Sequence, residues 1–276
     1  MYVTFLYEID RSSWPAYTRP FDDYLNNFQK LLEGMTDILI FGDDDRVENI
    51  AKTNFYRKPL KEFFYWSNRD RIENALQHRL FNFNTPEFFS AEYIALQLCK
   101  FEALEFAAQM YPNENIVWID GGLRPKMIRD WNIKWPSPKI HVTQILPIKW
   151  FEFEILTFPC AFILGGCFGG SSQELLWLSS IVKSSVQELW DQNKSANDQQ
   201  ILSILFMRYP EKFIAGKIYD SFRTLIPRIK WDHACIAVNE DERFKYSKTS
   251  FNFVYVLIFV LIVLALVHKL KLVLSR

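Results

Sequence analysis

An apolar strand that runs straight into an acid and two glycines constrains this chain more than any other stretch: Asn115-Ile-Val-Trp-Ile-Asp120-Gly-Gly-Leu123. Ile116 to Ile119 have strand character. In an open α/β sheet, ligands bind outside the carboxyl ends of the strands, where loops carry chemistry on a rigid scaffold. Asp120 therefore belongs on that rim, and the following glycines let a ligand approach the backbone.

The segments before it supply the rest of such a sheet. Val3 to Tyr7 reads as a first strand, followed by a polar turn that ends in Arg11, Ser12 and Ser13. That turn could hold a phosphate or a nucleobase edge, or simply be solvated. Asp22 is placed to cap a helix through Leu32, with Tyr24, Leu25, Phe28, Leu31 and Leu32 on one face and Gly34 closing it. Asp37 to Phe41 is a second strand that ends in Gly42 and the triplet Asp43-Asp44-Asp45, which reads as a solvated loop more readily than as a metal site, because three consecutive carboxylates cannot all point at one ion. Strand, helix, strand with a polar loop after each strand is the grammar of a parallel sheet. A short strand is expected over Glu62–Trp66, and a basic helix over Arg69–Leu80.

The clearest helix runs from the Ser90 cap to Met110, with Pro112 beyond its end and Ile94, Leu98, Phe101, Leu104 and Ala108 at helical spacing. It delivers the chain to the strand before Asp120. Lys100 sits near its middle, where it could reach a diphosphate or stay in solvent. Trp131, Trp135, Pro136 and Pro138 follow the Asp-Gly-Gly turn. Aromatic rings above a sheet can form a platform for sugars or belong to a core.

The segment Ala161–Leu164 reads as a buried strand entering a loop with Gly165, Gly166, Gly169 and Gly170. Ser171-Ser-Gln-Glu174 then reads as a capping box opening a long amphipathic helix through Trp190. The loop lacks the Lys-Ser/Thr pair of a Walker sequence, and its spacing does not match GxGxxG. Such glycines bring backbone amides close to a bulky polar ligand, or make a tight turn. Asp198 either caps the helix through Met207 or faces an acceptor hydroxyl. His233 in Lys230-Trp-Asp-His-Ala234 is a candidate metal ligand or a structural histidine.

Composition narrows the functional classes. The 32 basic and 32 acidic residues balance, so no global field favours nucleic acid. The four cysteines show no CxxC spacing, which argues against a zinc site and for a reducing compartment. The opening residues lack the basic start of a signal peptide. Phe251 to Val267 is an almost unbroken apolar run of 17 residues, at the short edge of the roughly 20 that a spanning helix needs. Leu270, Leu272, Val273 and Leu274 extend it, with Lys269 and Lys271 able to snorkel. Basic residues flank both sides, so orientation is not fixed by them. The organisation expected is an α/β domain over 1–238, a polar linker over 239–250 and a single C-terminal anchor over 251–274, with the domain facing the cytosol.

Several of these segments together resemble the HtrL/YibB-like family. They are Val3 to Arg11, Tyr24-Leu25, Ile-Phe-Gly-Asp43, Lys100-Phe-Glu-Ala-Leu104, Trp118-Ile-Asp120-Gly, Gly165 to Ser171 and Asp198-Gln-Gln-Ile-Leu202, in order across about residues 2 to 235. That family is similar to A-type glycosyltransferases, which use nucleotide-diphospho-sugar donors on a Rossmann-like mixed sheet flanked by helices. The resemblance implies an enzyme that moves a sugar onto a glycan, lipid-linked or protein acceptor; the C-terminal anchor read from 251–274 departs from the amino-terminal anchor usual in Golgi glycosyltransferases. It places Asp120 where the metal- and diphosphate-binding Asp-x-Asp motif sits, with Gly122 in place of the second acid. A divalent ion (Mn²⁺ or Mg²⁺) would be held by Asp120, with His233 as partner. Thr4, Arg11, Asp43, Lys100, Gly165, Gly166, Gly169 and Gly170 would line the donor, and Asp198 would serve as base. The alternative is a membrane-tethered module that binds without turnover.

Overall fold

The computed structural model describes residues 1–11, 14, 20–33, 35, 37–52, 54–79, 83, 85–122, 138–144, 152–157 and 162–217. The chain forms two compact units, Met1–Glu240 and Asp241–Arg276, and the second lies outside the described residues.

In chain order the first half runs β1 (Tyr2–Phe5), α1 (Phe21–Leu32), β2 (Ile38–Gly42), α2 (Asp45–Ala51), β3 (Phe55–Arg57), α3 (Phe64–Ser67), α4 (Arg69–Gln77), α5 (Pro86–Phe89), α6 (Ala91–Met110) and β4 (Asn115–Ile119). The second half continues with β5 (Ile140–Gln144), α7 (Glu152–Thr157), β6 (Ile163–Ser171), α8 (Ser172–Asp191), α9 (Asp198–Arg208) and β7 (Phe213–Lys217). Seven described strands form one mixed sheet in the order β3-β2-β1-β4-β6-β5-β7. β1, β2, β3 and β4 are parallel, β6 is antiparallel to both its neighbours, and β7 is parallel to β5. The fold is thus a mixed α/β sheet flanked by helices, as the family resemblance implies; the strand-helix alternation predicts only its parallel half, β1 to β4.

The sheet alternates its side chains between two apolar layers. Val3, Phe5, Ile116, Trp118 and Phe168 join α6 and α8 in one core. Ile38, Ile40, Val117, Ile119 and Cys167 join Leu25, Phe28 and Leu31 of α1 in the other. α6 is enclosed on nearly every side. Ser90 Oγ caps it by accepting from the Tyr93 amide at 3.1 Å, and its buried residues include Ile94, Leu98, Phe101, Leu104 and Lys100.

Four expectations need correction. Residues 62–66 end in helix, not strand: the Glu102 carboxylate on α6 accepts from the amides of Phe64 at 2.7 Å and Tyr65 at 3.1 Å, which fixes the start of α3. The acidic triplet opens a helix instead of remaining loop, with Asp44 Oδ1 accepting from the Arg46 amide at 2.7 Å as the cap of α2. Pro20, not Asp22, stands at the cap position of α1. The glycine-rich stretch is not a loop: Gly165 to Gly170 all lie within β6, buried between β4 and β5. No described glycine has positive φ. What the glycines provide is room. A Cβ at Gly169 would lie 2.2 Å from the Ile116 carbonyl oxygen.

Among the described residues no helix is long and apolar enough to cross a membrane. The expected anchor, residues 251–274, lies outside them.

Candidate functional site

The chain builds outward from β1 to β2 and β3 on one side, then returns to place β4 on the other side of β1. The loops leaving β1 and β4 therefore diverge, and the crevice between their carboxyl ends is where an open α/β sheet binds ligands. Asp120, the first residue after β4, stands at that switch point. Its amide donates to the Gly166 carbonyl at 2.9 Å, tying the rim to β6.

Three charged side chains meet beneath the rim. Lys100 Nζ reaches Asp120 Oδ1 at 2.8 Å and Asp198 Oδ2 at 2.5 Å, and donates to the Gly165 carbonyl at 3.2 Å. An ammonium carries three donors, and here three acceptors take them. Its side chain is 6% exposed, that of Asp198 is 0% exposed and that of Asp120 is 35% exposed. Asp120 Oδ1 also accepts from the Trp118 indole N–H at 2.7 Å. Strand alternation puts Trp118 and Asp120 on one face, which brings the indole to the carboxylate. Asp120 is thus clamped through one oxygen from two directions and is the member of the trio that reaches solvent.

Asp198 is sealed in. It is the first residue of α9, not its cap: Asn197 takes the cap position in a reciprocal box with Gln200, with bonds of 2.8 and 3.0 Å. Asp198 Oδ1 accepts from the Gln199 amide at 2.9 Å, where the helix N-terminus favours negative charge. Burial pushes its carboxyl up, Lys100 opposes this and Asp120 adds to it, for a net rise. For Lys100, burial pulls down, but the combined pull of Asp120 and Asp198 outweighs it and the ammonium is held above its ordinary value.

Toward the β1 loop lies a cation of a different kind. Arg11 donates to the Tyr24 hydroxyl, and its guanidinium sits 4.5 Å from the Tyr24 ring centre, 5.0 Å from that of Trp14 and 6.0 Å from that of Tyr93. The Tyr24 ring closes over the turn after Asp120, 3.0 Å from where a Cβ at Gly122 would stand. Burial pushes the Tyr93 phenol well up, the charges of Glu87, Asp198 and Asp120 add to this, and Arg11 opposes it. Tyr93 precedes Lys100 by seven residues on α6, two turns along one stripe. Tyr93 and Trp118 are the two side chains that sequence reasoning overlooked. Helical spacing from Lys100 and strand alternation from Asp120 were the signals for them.

The structure brings together Lys100, Asp120, Asp198 and Gly165, with Gly166 bonded at the edge; Arg11 is linked to the rim through Tyr24, whose ring lies at Gly122. It separates others. Thr4 lies inside β1 at 0% exposure, in register with Ile40 of β2, and its hydroxyl has no partner among the described residues. Gly169 and Gly170 lie further down β6, opposite Val117 and Ile116. Asp43 is exposed at the carboxyl end of β2, where its carbonyl accepts from Arg57 at 3.0 Å. His233, Trp131, Trp135 and Pro136 lie outside the described residues. Among the described residues no group of three or more His, Cys, Asp or Glu is arranged to hold a metal ion.

No curated protein matches the chain. A family model described as a bacterial protein of unknown function, HtrL_YibB, matches residues 1–226, from β1 through the whole described sheet. The chain belongs to the HtrL/YibB family.

Proposed function

We propose that the chain is a glycosyltransferase of A-type architecture, which moves a sugar from a nucleotide-diphosphate donor to a glycan, lipid-linked or protein acceptor. One observation carries this reading: a carboxylate fixed at the switch point of a mixed α/β sheet, clamped by Lys100 and Trp118 on one oxygen and open to solvent beyond it. Preorganised charge at such a rim is what group transfer from a charged donor uses.

The residues fit a divalent ion of a particular kind. Mg²⁺ is commonly bound through one or two carboxylates with substrate phosphates completing its shell, and not by an all-protein cage. Asp120 supplies one carboxylate, and Gly122 supplies none. Bound there, Mn²⁺ or Mg²⁺ would offset the charge of a leaving diphosphate. Asp120 is the described residue that would hold it.

The residues of the chain divide the remaining work. Asp198, with both oxygens engaged and no exposure, acts through Lys100 as a positioning residue instead of facing an acceptor. The run 251–274 tethers the domain to a membrane, with the domain on the cytosolic side. A second reading, a tethered module that binds a sugar nucleotide without turnover, is favoured by that same sealing of Asp198, which keeps its carboxylate from an acceptor hydroxyl.

Thermal unfolding of the full chain in detergent, scanned against nucleotides and nucleotide sugars with and without Mn²⁺, tests the proposal. A ligand at about 100 times its dissociation constant raises stability by about 2.7 kcal/mol. Asp120→Asn keeps the fold and abolishes both the metal-dependent part of that shift and sugar transfer. Transfer at the wild-type rate in Asp120→Asn removes Asp120 from the mechanism. Binding without turnover selects the second reading.

A further inference from the structure

Two cations serve the Asp120 rim, Lys100 in direct contact with Asp120 and Arg11 on the β1 loop joined to the rim through Tyr24, and their hydrogen-bonding states differ. Lys100 has no donor left. Asp120, Asp198 and the Gly165 carbonyl take all three of its protons inside the fold, so a ligand could reach it only by displacing a buried ion pair. Removing one partner of such a pair leaves an uncompensated buried charge. The helix position that looks suited to a diphosphate is therefore already occupied by the protein's own carboxylates.

Arg11 is in the opposite state. A guanidinium carries five N–H donors. Among the described residues one goes to the Tyr24 hydroxyl, and no carboxylate forms an ion pair with it. The guanidinium lies over the rings of Tyr24 and Trp14, with Tyr93 at the edge of reach. Aromatic neighbours orient a guanidinium without neutralising it, and leave its in-plane donors for a bidentate anion. Arg46, on the same carboxyl rim at the start of α2, shows what a satisfied arginine looks like here: it pairs with Asp44 at 2.6 Å, Glu8 at 2.7 Å and Asp22 at 3.6 Å.

The position is also right. Arg11 follows β1 and Asp120 follows β4, so they stand on the two loops that part at the switch point, and Tyr24 touches both sides of that gap. The Lys100, Asp120 and Asp198 trio holds one positive and two negative groups, so an anion brought to it needs a cation from elsewhere.

We propose that Arg11 is the anion receptor of this site, taking a phosphate or diphosphate group bidentately across the gap from Asp120, while Lys100 serves inside the fold. This deepens the transferase reading and rests on its placing of the ligand at the switch point. A diphosphate ester could come from a nucleotide or from a lipid-linked sugar, and both present the same group to Arg11.

The test uses the full chain in detergent at fixed Mg²⁺, with inorganic pyrophosphate as the probe and binding followed by the shift in unfolding midpoint. Wild type is stabilised in a dose-dependent way. Arg11→Gln weakens pyrophosphate by about tenfold to a hundredfold, the range for losing hydrogen bonds to a charged group. Arg11→Lys, which keeps the charge but not the fork, falls between them and covers the case in which Arg11→Gln fails to fold. Arg46→Gln leaves the affinity unchanged. UDP or GDP against farnesyl diphosphate then separates a nucleotide source from a lipid one, and either preference supports the receptor. No stabilisation of wild type by pyrophosphate overturns the proposal, as does equal affinity in wild type and Arg11→Gln, or an equal loss in Arg46→Gln. Nucleotide-sugar binding that survives intact in Arg11→Gln overturns the receptor while leaving the transferase reading in place.

Discussion

Gly165 and Asp198 share one volume: a Cβ at Gly165 would lie 2.0 Å from Asp198 Oδ2 and 2.6 Å from its carboxyl carbon. The absence of a side chain on β6 is what lets α9 seat its first residue against the sheet and reach Lys100. Gly165→Ala is therefore expected to lower stability by at least the roughly 1–3 kcal/mol of an overpacked core, because the displaced carboxylate also leaves its cation. Urea unfolding measures this. Combining Gly165→Ala with Asp198→Ala removes the clash, so the double variant loses less than the sum of the singles; strict additivity would mean the two do not meet.

Lys100→Met leaves two carboxylates without their shared cation. The cost is expected at about 3–5 kcal/mol near pH 8, the range for breaking a buried ion pair. Its pH dependence follows from the directions of the shifts. Asp198 holds its proton more tightly folded than unfolded, so its contribution to stability declines as pH rises from the ordinary carboxylate value of about 3.9 toward its raised one. Removing Lys100 takes away the opposing influence and extends that decline upward. Lys100 itself is raised in the fold, so its contribution is complete below the ordinary lysine value of about 10.4 and is lost as pH rises beyond it. The gap between wild type and Lys100→Met should therefore narrow from pH 8 to pH 5, and Asp198→Asn in the variant should narrow it at pH 8. A gap indifferent to pH would show that the trio is not charged as described.

The framework of the fold could be read from local pattern, and the centre of the site could not. Ser90 capping a long apolar helix, and Ile116 to Ile119 running into Asp120, are signals carried by neighbouring residues, and they gave α6, β4 and the rim. Residues 62–66 misled because the carboxylate that makes α3 helical is Glu102, 38 residues away from Phe64. The glycines of β6 misled for a related reason. Glycine marks a loop when it is needed for its backbone angles and a strand when it is needed for space, and only the neighbour that fills the space tells the two apart. At Gly165 that neighbour is Asp198. The pairing of Lys100 with Asp198 spans 98 residues, and no periodicity within either helix announces it.

Asn197→Ala tests how far the start of α9 supports the site. The reciprocal box with Gln200 fixes the turn that carries Asp198, and Gln200 Nε2 also donates to the Ile155 carbonyl at 2.7 Å, tying that turn to α7. Losing the cap should cost about 0.5–2 kcal/mol. Hydrogen exchange at the amides of Gln199 and Gln200 should quicken more than at the end of the same helix. Uniform quickening along α9 would show that the box adds stability without fixing its first turn.

The ion trio also fixes an order of events as the chain is made. β1, β2, α6 and β4 are complete by residue 119, and with them Lys100 and Asp120 can already meet. Asp198 arrives some eighty residues later, after β6 has entered the sheet against the direction of β4. Until then the ammonium has only one counter-charge and a half-built wall around it, a state that an isolated buried cation makes costly. Chain order alone thus lets the β4 rim and Lys100 emerge well before the α9 residue that covers them, so burial of the trio waits on the second half of the domain.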